Sequence, residues 1–335
     1  MTVTEHVARV AVIIVNYNSG TMLSRALEAL SRQSFKKFHT VVVDNASTDG
    51  SADEIESRFS KVSVVRSGSN LGFAAGNNLG MSQAQGAEWI ALLNPDAFPE
   101  PEWIESMLAA ADAHPEYSFF GCRMISSNAP EILDGTGDMY HTSGAAWRRD
   151  HGLPLSEGAA RDGEIFGCCA AAAMYRRDAI FDVTGFDERF FCYLEDVDLA
   201  FRLRLRGHRC LYVSEAVVKH VGSAITGRRS DFKAYYEHRN LVWVFIKNMP
   251  LSLLWRYLPL HIALNIAAIA VFAAKGRLRI ILRAKFDALR ELPALLAERK
   301  RVQTGRKAPL REIDRAFTHG LSVLWRVSTS KVAKW

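Results

Sequence analysis

Short apolar runs that stop abruptly at polar tips recur through the first hundred residues. Residues 10–15 are an unbroken β-branched and aliphatic run, the mark of a strand buried on both faces. That run ends in Asn16-Tyr17-Asn18-Ser19-Gly20. Residues 40–43 end in Asp44-Asn45, and residues 62–65 are followed by Arg66 and, a loop later, Asn70. Residues 89–93, bounded by Gly86 and Pro95, end in Asn94-Pro95-Asp96. Between the runs the apolar period lengthens. Met22, Leu23, Ala26, Leu27 and Leu30 predict a helix over 22–32, residues 51–59 a second, and a third starts near Gly76. Pro101 opens a fourth through about Ala113, in the first turn where proline is tolerated. Strand and helix in alternation predict an α/β fold around a mostly parallel sheet. Such sheets bind ligands beyond the carboxyl ends of their strands, where all four polar tips lie.

The 335 residues suffice for one large domain with an appendage, or for two domains. With 49% hydrophobic residues, a substantial core is available. The net charge of +6 conceals an asymmetry. Residues 275–335 hold sixteen Lys/Arg against five Asp/Glu, so the first 274 residues carry about −5. Five cysteines (Cys122, Cys168, Cys169, Cys192 and Cys210) are an odd number without metal-ligand spacing, as expected of buried thiols in a reducing compartment. No signal peptide is expected, because the early apolar run is too short.

Asn94 and Asp96 present two oxygen-bearing side chains across a proline, which suits Mg²⁺ or Mn²⁺ beside substrate phosphates; Asn-Pro-Asp is also good turn chemistry. Gly72 and Gly76 in Asn70-Leu71-Gly72-Phe73-Ala74-Ala75-Gly76-Asn77-Asn78 allow close backbone approach, and amides at a helix start favour a phosphate. Their spacing fits neither the dinucleotide fingerprint nor a Walker loop.

Val15-Asn16-Tyr17-Asn18, Val43-Asp44-Asn45 with Ser47, Asp49 and Gly50, the segment Asn70–Asn78 and Leu93-Asn94-Pro95-Asp96 occur in that order. Together they resemble the family 2 glycosyltransferases, within them the bacterial rhamnosyltransferase-like branch, over roughly residues 8–245. The resemblance implies a GT-A fold, a nucleotide-sugar donor (dTDP- or UDP-linked), Mg²⁺ or Mn²⁺, and inversion at the anomeric carbon. It implies that Asp44 contacts the base or ribose, with Asn16, Asn18, Asn45 and Arg66 along the same edge. Gly76 and Asn77 would lie beside the donor. Asn94 and Asp96 would occupy the family's DxD metal site, with Asn in place of the first acid. The domains expected are a catalytic unit over 1–245, with a donor half over about 8–115 and an acceptor half over about 116–245. A helical, basic region over 246–335 follows.

In the second half, residues 117–122 predict another strand. Residues 126–162 lack periodicity and read either as an insertion covering the site or as a surface excursion. The small residues of 166–175 suit close packing, in the core or beside a sugar. Glu195-Asp196 sits where an aromatic run gives way to a helix ending at Gly207. A carboxylate there serves as general base or as ordinary first-turn capping. The segment resembles the family's ED motif, which implies Asp196 as base and Glu195 as its orienting or acceptor-binding neighbour. His220 matches the position of a third metal ligand in many GT-A enzymes, and imidazole suits Mn²⁺. Arg228 and Arg229 would close over the donor diphosphate. Tyr235-Tyr236 and Arg239-Asn240 open a helix and either contact acceptor phosphate or dock that helix.

Residues 258–274 are nearly all apolar, at the short limit for crossing a bilayer, and Lys275, Arg277, Arg279, Arg283 and Lys285 follow at once. This reads as helices on the cytoplasmic leaflet, with soluble packing or a homodimer interface as the alternative. No stacking platform or base-reading motif points to nucleic acid. The expected activity is transfer of a sugar, L-rhamnose from dTDP-rhamnose foremost, to a lipid-linked or polysaccharide acceptor in cell-surface glycan synthesis, at the inner face of the cell membrane. The alternatives are another donor sugar, a nucleotidyltransferase, or a catalytically degenerate nucleotide-sugar-binding membrane scaffold.

Overall fold

A computed structural model describes residues 8–158, 161–222 and 230–322. The chain opens with β1 (Val10–Asn16), α1 (Met22–Ser31), β2 (Phe38–Asp44), α2 (Ile55–Arg58), β3 (Val62–Arg66), α3 (Gly72–Gln83) and β4 (Trp89–Leu93). In space these strands are ordered β3-β2-β1-β4, all parallel, with Asn16, Asp44 and Arg66 in one register row at the carboxyl edge. Every residue of β1 is buried, as its continuous apolar sequence requires. Val10, Val12 and Ile14 face a core shared with Leu23, Leu27 and Leu30 of α1. Ala11 and Ile13 face the opposite core, with Ala74 and Met81 of α3. Side chains thus alternate across the sheet, and one helical layer covers each face.

The middle of the chain adds β5 (Ala97–Pro99), α4 (Trp103–Ala113), β6 (Phe119–Ser126), β7 (Leu133–Gly135), β8 (Asp138–Tyr140), β9 (Ala146–Arg148), β10 (Gly163–Ile165), β11 (Ala172–Arg176), α5 (Arg177–Asp182), α6 (Glu195–Leu205) and β12 (Cys210–His220). Here the sheet becomes mixed. β11 inserts antiparallel between β4 and β6, and β12 lies parallel to β6. The expected parallel arrangement therefore describes β3-β2-β1-β4, while β11 reverses direction beside β4 and brings the 167–171 segment to the tip of β4.

Among the described residues, four helices and a short fifth follow: α7 (Asp231–Asn248), α8 (Leu251–Ala274), α9 (Leu278–Arg290), α10 (Leu292–Thr304) and α11 (Leu310–Arg315). α7 runs unbroken through residue 245, and Val242, Trp243, Val244 and Phe245 share the core that holds Leu199, Phe201 and Leu203 of α6. The C-terminal segment returns to the same core. Phe317 packs against Tyr140, Phe166 and Phe201, and the Thr318 amide donates to Tyr140 O at 2.8 Å.

Several elements differ from the sequence expectation. The helix expected over 51–59 shrinks to Ile55–Arg58, because Glu54 takes a left-handed conformation that breaks the first turn. α3 starts at Gly72 rather than near Gly76. β12 spans eleven residues, and α8 extends the apolar 258–274 run back to Leu251. Much of the aperiodic segment 126–162 is packed into the protein: Asp134, Thr136, Asp138, Tyr140 and His141 are all buried.

Candidate active site

β5 is a strand of three residues without a sequence signal, and it assembles one side of the site. It pairs antiparallel with the end of β12, setting Ala97 opposite His220. That pairing brings His220 Nε2 to 3.3 Å from Asp96 Oδ1, just past the tip of β4. On the other side of the ring, Nδ1 lies 2.7 Å from Asp134 Oδ2. Asp134 in turn ion-pairs with Arg148 at the end of β9. Asp96, His220 and Asp134 are all buried.

The electrostatics follow from this row of alternating charges. Burial pulls the His220 imidazolium down, but the flanking Asp134 and Asp96 outweigh it and hold the ring above its ordinary value. Burial pushes Asp96 up, and His220 together with the Gly222 amide brings it below the ordinary carboxylate range. Asp134 is buried as well, yet Arg148 and His220 hold it lower still. His220 Nε2 is buried without a hydrogen-bond partner and faces the Asp96 oxygen. A ring held at Nδ1 by a carboxylate, with its other nitrogen beside a second carboxylate, fits the donor set of a divalent cation. The two negative charges that attract a proton to this ring also attract a metal. Among the described residues, no three His, Cys, Asp or Glu side chains converge on one metal-sized point, so Asp96 and His220 would act as a pair.

Asp196 is tied to the tip of β4 through the segment before β11. The Asn94 amide donates to Ala171 O at 2.8 Å, and the Ala170 amide donates to Asp196 Oδ2 at 3.2 Å. A single residue step in the segment before β11 therefore links the tip of β4 to the first turn of α6. The Arg148 guanidinium closes the circuit from the other side, attracting Asp196 and Asp138 as well as Asp134. Burial raises the Asp196 carboxyl, and the Ala170 and Val197 amides with Arg148 offset only part of that, so it stays above the ordinary range. Glu195 is more deeply buried. Its carboxyl is pushed well up by burial and by Asp196, and Oε2 has no hydrogen-bond partner. Asp138 is likewise buried with a bare Oδ2, and burial and the Asp196 charge keep it well above the ordinary value. Asp196, half-buried and hydrogen-bonded through both oxygens, is the more open of the ED pair.

A loop of unusual backbone carries these acids. Phe191, Tyr193 and Leu194 all have positive φ, at 66°, 67° and 62°. α7 holds the loop in place. Buried Asn240 directs Nδ2 at Phe190 O, Cys192 O and Tyr193 O, at 3.1, 3.0 and 2.7 Å. Arg239 donates to Arg189 O and Phe190 O, both at 3.0 Å, and Tyr236 stacks on Phe191 with ring centroids 5.3 Å apart. Tyr235 donates to Asp287 of α9 at 2.7 Å. Of the two roles open for these four residues in the sequence, docking is the one the contacts describe.

The residues at the donor edge largely knit its loops together. Buried Asn16 donates to Ser47 Oγ and Ser51 Oγ at 3.0 and 2.9 Å and accepts from the Ser19 hydroxyl. Asn18 Oδ1 accepts the Thr48 amide at 2.8 Å. Asn45 accepts the Leu71 amide at 2.9 Å and donates to Asn70 Oδ1 at 3.0 Å. Asp44 accepts the Ser47 amide at 3.2 Å, and Arg66 is exposed in the same register row. Asn77 is buried and turns back to Phe73 O at 2.9 Å. Gly76 lets α3 lie close to β1: a Cβ there would come within 2.8 Å of Val15 Cγ1. The amides at the start of α3 differ from the expectation of a phosphate seat. Those of Phe73 and Ala74 donate to Phe191 O, and that of Gly72 to Asn70 Oδ1, so their hydrogen bonds are already made. Arg228 and Arg229 lie outside the described residues.

Sequence reasoning missed Asp134, Asp138 and Arg148. They sit in the aperiodic 126–162 stretch, and their one local signal is Asp134-Gly135-Thr136-Gly137-Asp138, two acids spaced by glycines. Those glycines have φ of 157° and 116°, so the second adopts a backbone that other residues rarely take.

Comparison with known proteins agrees with this architecture. The profile described as "Glycosyl transferase family 2" matches residues 11–183. The N-acetylglucosaminyl-diphospho-decaprenol L-rhamnosyltransferase of Mycobacterium tuberculosis (strain ATCC 25618 / H37Rv) is 30% identical over 242 residues, covering 65% of this chain and 77% of that protein. Among solved structures, the mannosyltransferase PcManGT from Pyrobaculum calidifontis, in complex with GDP-Man and Mn²⁺, superposes with a TM-score of 0.55. It is 20% identical, over 92% of this chain and 86% of that one. Residues 1–349 of S. aureus TarS, in complex with UDP-GlcNAc, superpose with a TM-score of 0.59. The identity there is 19%, over 92% of this chain and 89% of that one.

Proposed function

The chain belongs to glycosyl transferase family 2, in its rhamnosyltransferase-like branch, and on that premise we propose that it moves L-rhamnose from dTDP-rhamnose to a lipid-linked acceptor. That it is a glycosyltransferase using a nucleotide-sugar donor follows from the family. The sugar, the acceptor and the roles of individual residues are the proposal. The acceptor class rests on the mycobacterial relative, which is named for a diphospho-decaprenol-linked sugar.

The observation that supports this reading is the link from Asn94 through Ala171 and Ala170 to Asp196, which joins the tip of β4, beside Asp96 and His220, to the first turn of α6, where the ED pair sits. Asp196 takes the proton from the acceptor hydroxyl. The hydroxyl oxygen bonds to the anomeric carbon as the bond from that carbon to the diphosphate oxygen breaks, and the nucleoside diphosphate leaves with that electron pair. Attack from the face opposite the leaving group inverts the configuration. A raised carboxyl is the more effective base near neutrality, because its proton affinity lies closer to that of the medium. Arg148 keeps Asp196 ionisable despite burial and fixes Asp134 against His220. Asp96 and His220, with Asn94 beside them, would hold Mg²⁺ or Mn²⁺, and the imidazole favours Mn²⁺. When bound, the cation supplies charge neutralisation to the departing diphosphate. Asp44 and Arg66, in one register row at the carboxyl edge, would line the nucleotide's base and ribose.

A donor panel tests this reading. Purified protein is melted and assayed for donor hydrolysis with dTDP-rhamnose, UDP-GlcNAc, UDP-glucose and GDP-mannose, each with and without Mn²⁺. A donor at about 100 times its Kd stabilises a protein by about 2.7 kcal/mol, an easily read shift. The largest cation-dependent shift and the fastest hydrolysis are expected with dTDP-rhamnose. Preference for another sugar overturns the rhamnose assignment. Binding of a donor with no hydrolysis or transfer favours the scaffold reading instead.

A further inference from the structure

α8 carries an exposed apolar stripe that nothing among the described residues covers. Leu251, Trp255, Ile262 and Ile266 recur at helical spacing on its outer face, with Trp255 66% and Ile266 62% exposed. From Tyr257 to Ala274 the helix has no Asp, Glu, Lys or Arg. After the turn at Gly276, α9 repeats the pattern with a difference. Leu278, Leu282, Phe286 and Leu289 form an exposed apolar stripe, Phe286 at 64%. Beside it runs an exposed row of Arg279, Arg283 and Arg290. α9 holds four basic residues and one acid, Asp287, which already accepts the Tyr235 hydroxyl. Its third face, Ile281, Ala284 and Ala288, is buried in the protein.

We propose that α8 and α9 lie flat in the interface of an anionic bilayer, their apolar stripes among the acyl chains and the α9 arginines among acidic head groups. An apolar stripe flanked by arginines is the pattern of a helix at a lipid surface. A second copy of the chain would have to set these arginine rows near their own kind, whereas acidic lipid complements them. At 24 residues, about 36 Å long, α8 is long enough to cross a membrane. Its inner face argues against crossing. His261 donates its Nδ1–H to Ser143 O at 2.8 Å and stacks on Phe245, the Tyr257 hydroxyl donates to Asp314 at 2.8 Å, and Phe272 packs with Ala234 and Ile281. Crossing would tear α8 from these partners or pull them into hydrocarbon. α7 connects this surface to the site: it packs along α9 and clamps the loop that carries Glu195 and Asp196. Under the glycosyl-transfer reading, an acceptor anchored in lipid therefore meets the base without leaving the bilayer surface.

The test uses the full chain, and its binding readout needs neither donor nor acceptor, so it fails independently of the proposed activity. Vesicles of phosphatidylcholine with about 30 mol % phosphatidylglycerol, and vesicles of phosphatidylcholine alone, are sedimented with the protein. Binding to the acidic vesicles, weakened by salt and by alkaline carbonate, is expected. The double variant Ile266→Asp/Phe286→Glu should bind about tenfold or more weakly while melting and hydrolysing donor as the parent does. Arg279→Gln/Arg283→Gln should lose only the preference for acidic lipid. A parent that sediments with neither vesicle, or a charge-bearing double variant that binds unchanged, overturns the proposal. So does resistance to carbonate extraction, which assigns α8 a spanning role. A parent dimer that the double variant converts to monomer assigns the face to a second copy.

Discussion

Replacing Asn240 by alanine tests whether the site depends on a clamp remote from the chemistry. Three non-glycine residues in a row of four, Phe191, Tyr193 and Leu194, hold positive φ, a sparsely populated backbone that costs about 1–3 kcal/mol each. The loop persists in that form because other bonds over-determine it. Asn240 supplies one amide nitrogen, with two protons shared among three carbonyls. Two such bonds contribute about 1–3 kcal/mol net, and leaving the buried carbonyls unpaired raises the loss toward the upper end. Asn240→Ala should therefore lower stability by about 2–3 kcal/mol, read from urea or thermal melts. The kinetic effect should be larger than the protein's partial destabilisation explains. Relaxing residues 190–194 shifts the first turn of α6 and pulls Asp196 from the Ala170 amide. A misplacement of about 1 Å costs up to about a hundredfold in rate. The loss should appear in kcat, with KM for the donor little changed, because the donor edge is built from β1, β2 and β4. A variant that melts at the parent temperature with kcat within twofold would refute the clamp.

Asp196→Asn should cut transfer by about 10²–10⁴-fold while leaving the donor-induced rise in melting temperature intact; near-normal turnover would remove Asp196 from the base role. In the parent enzyme the base must be deprotonated and its carboxyl is raised, so activity should rise with pH through a limb above the ordinary aspartate range. A pH–rate profile for kcat checks this, and a limb at or below that range contradicts it. Asp134→Asn removes the carboxylate that orients His220, and should weaken the apparent affinity for Mn²⁺ by about 10–100-fold in a cation titration of hydrolysis. A cation response unchanged in that variant would separate His220 from the metal.

The donor half was legible from the chain because its signals are local. An apolar run such as residues 10–15 can be satisfied only by burial on both faces, and β1 is buried at every position. Asn16, Asp44 and Arg66 were expected along one edge, and the register sets them opposite one another. What those side chains do there was not legible. Asn16 and Asn45 look like ligand-facing residues in sequence, yet their amides bind Ser47, Ser51, Asn70 and the Leu71 backbone. Whether a polar tip points at a substrate or at a neighbouring loop depends on how the next crossover passes, and no local pattern encodes that.

The ED segment shows the same division. Its place at a helix start is written in Glu195-Asp196 followed by Val197, Leu199 and Phe201. Its geometry depends on α7, some forty residues later, through Asn240. By itself, the sequence determined the layered α/β fold, the acids and the histidine proposed for the transferase site, and the apolar and basic character of the C-terminal helices. Those follow from periodicity and residue chemistry, which act over a few positions. Tertiary structure alone decided that β5 would carry Asp96 to His220, that the aperiodic stretch from β7 to β9 would supply Asp134 and Arg148, and that one face of α8 would stay uncovered by the described residues. His220 meets Asp134 and Asp96 from 86 and 124 positions away, and the free energy of those pairings comes from burying charges together, a quantity defined only once the chain has closed on itself.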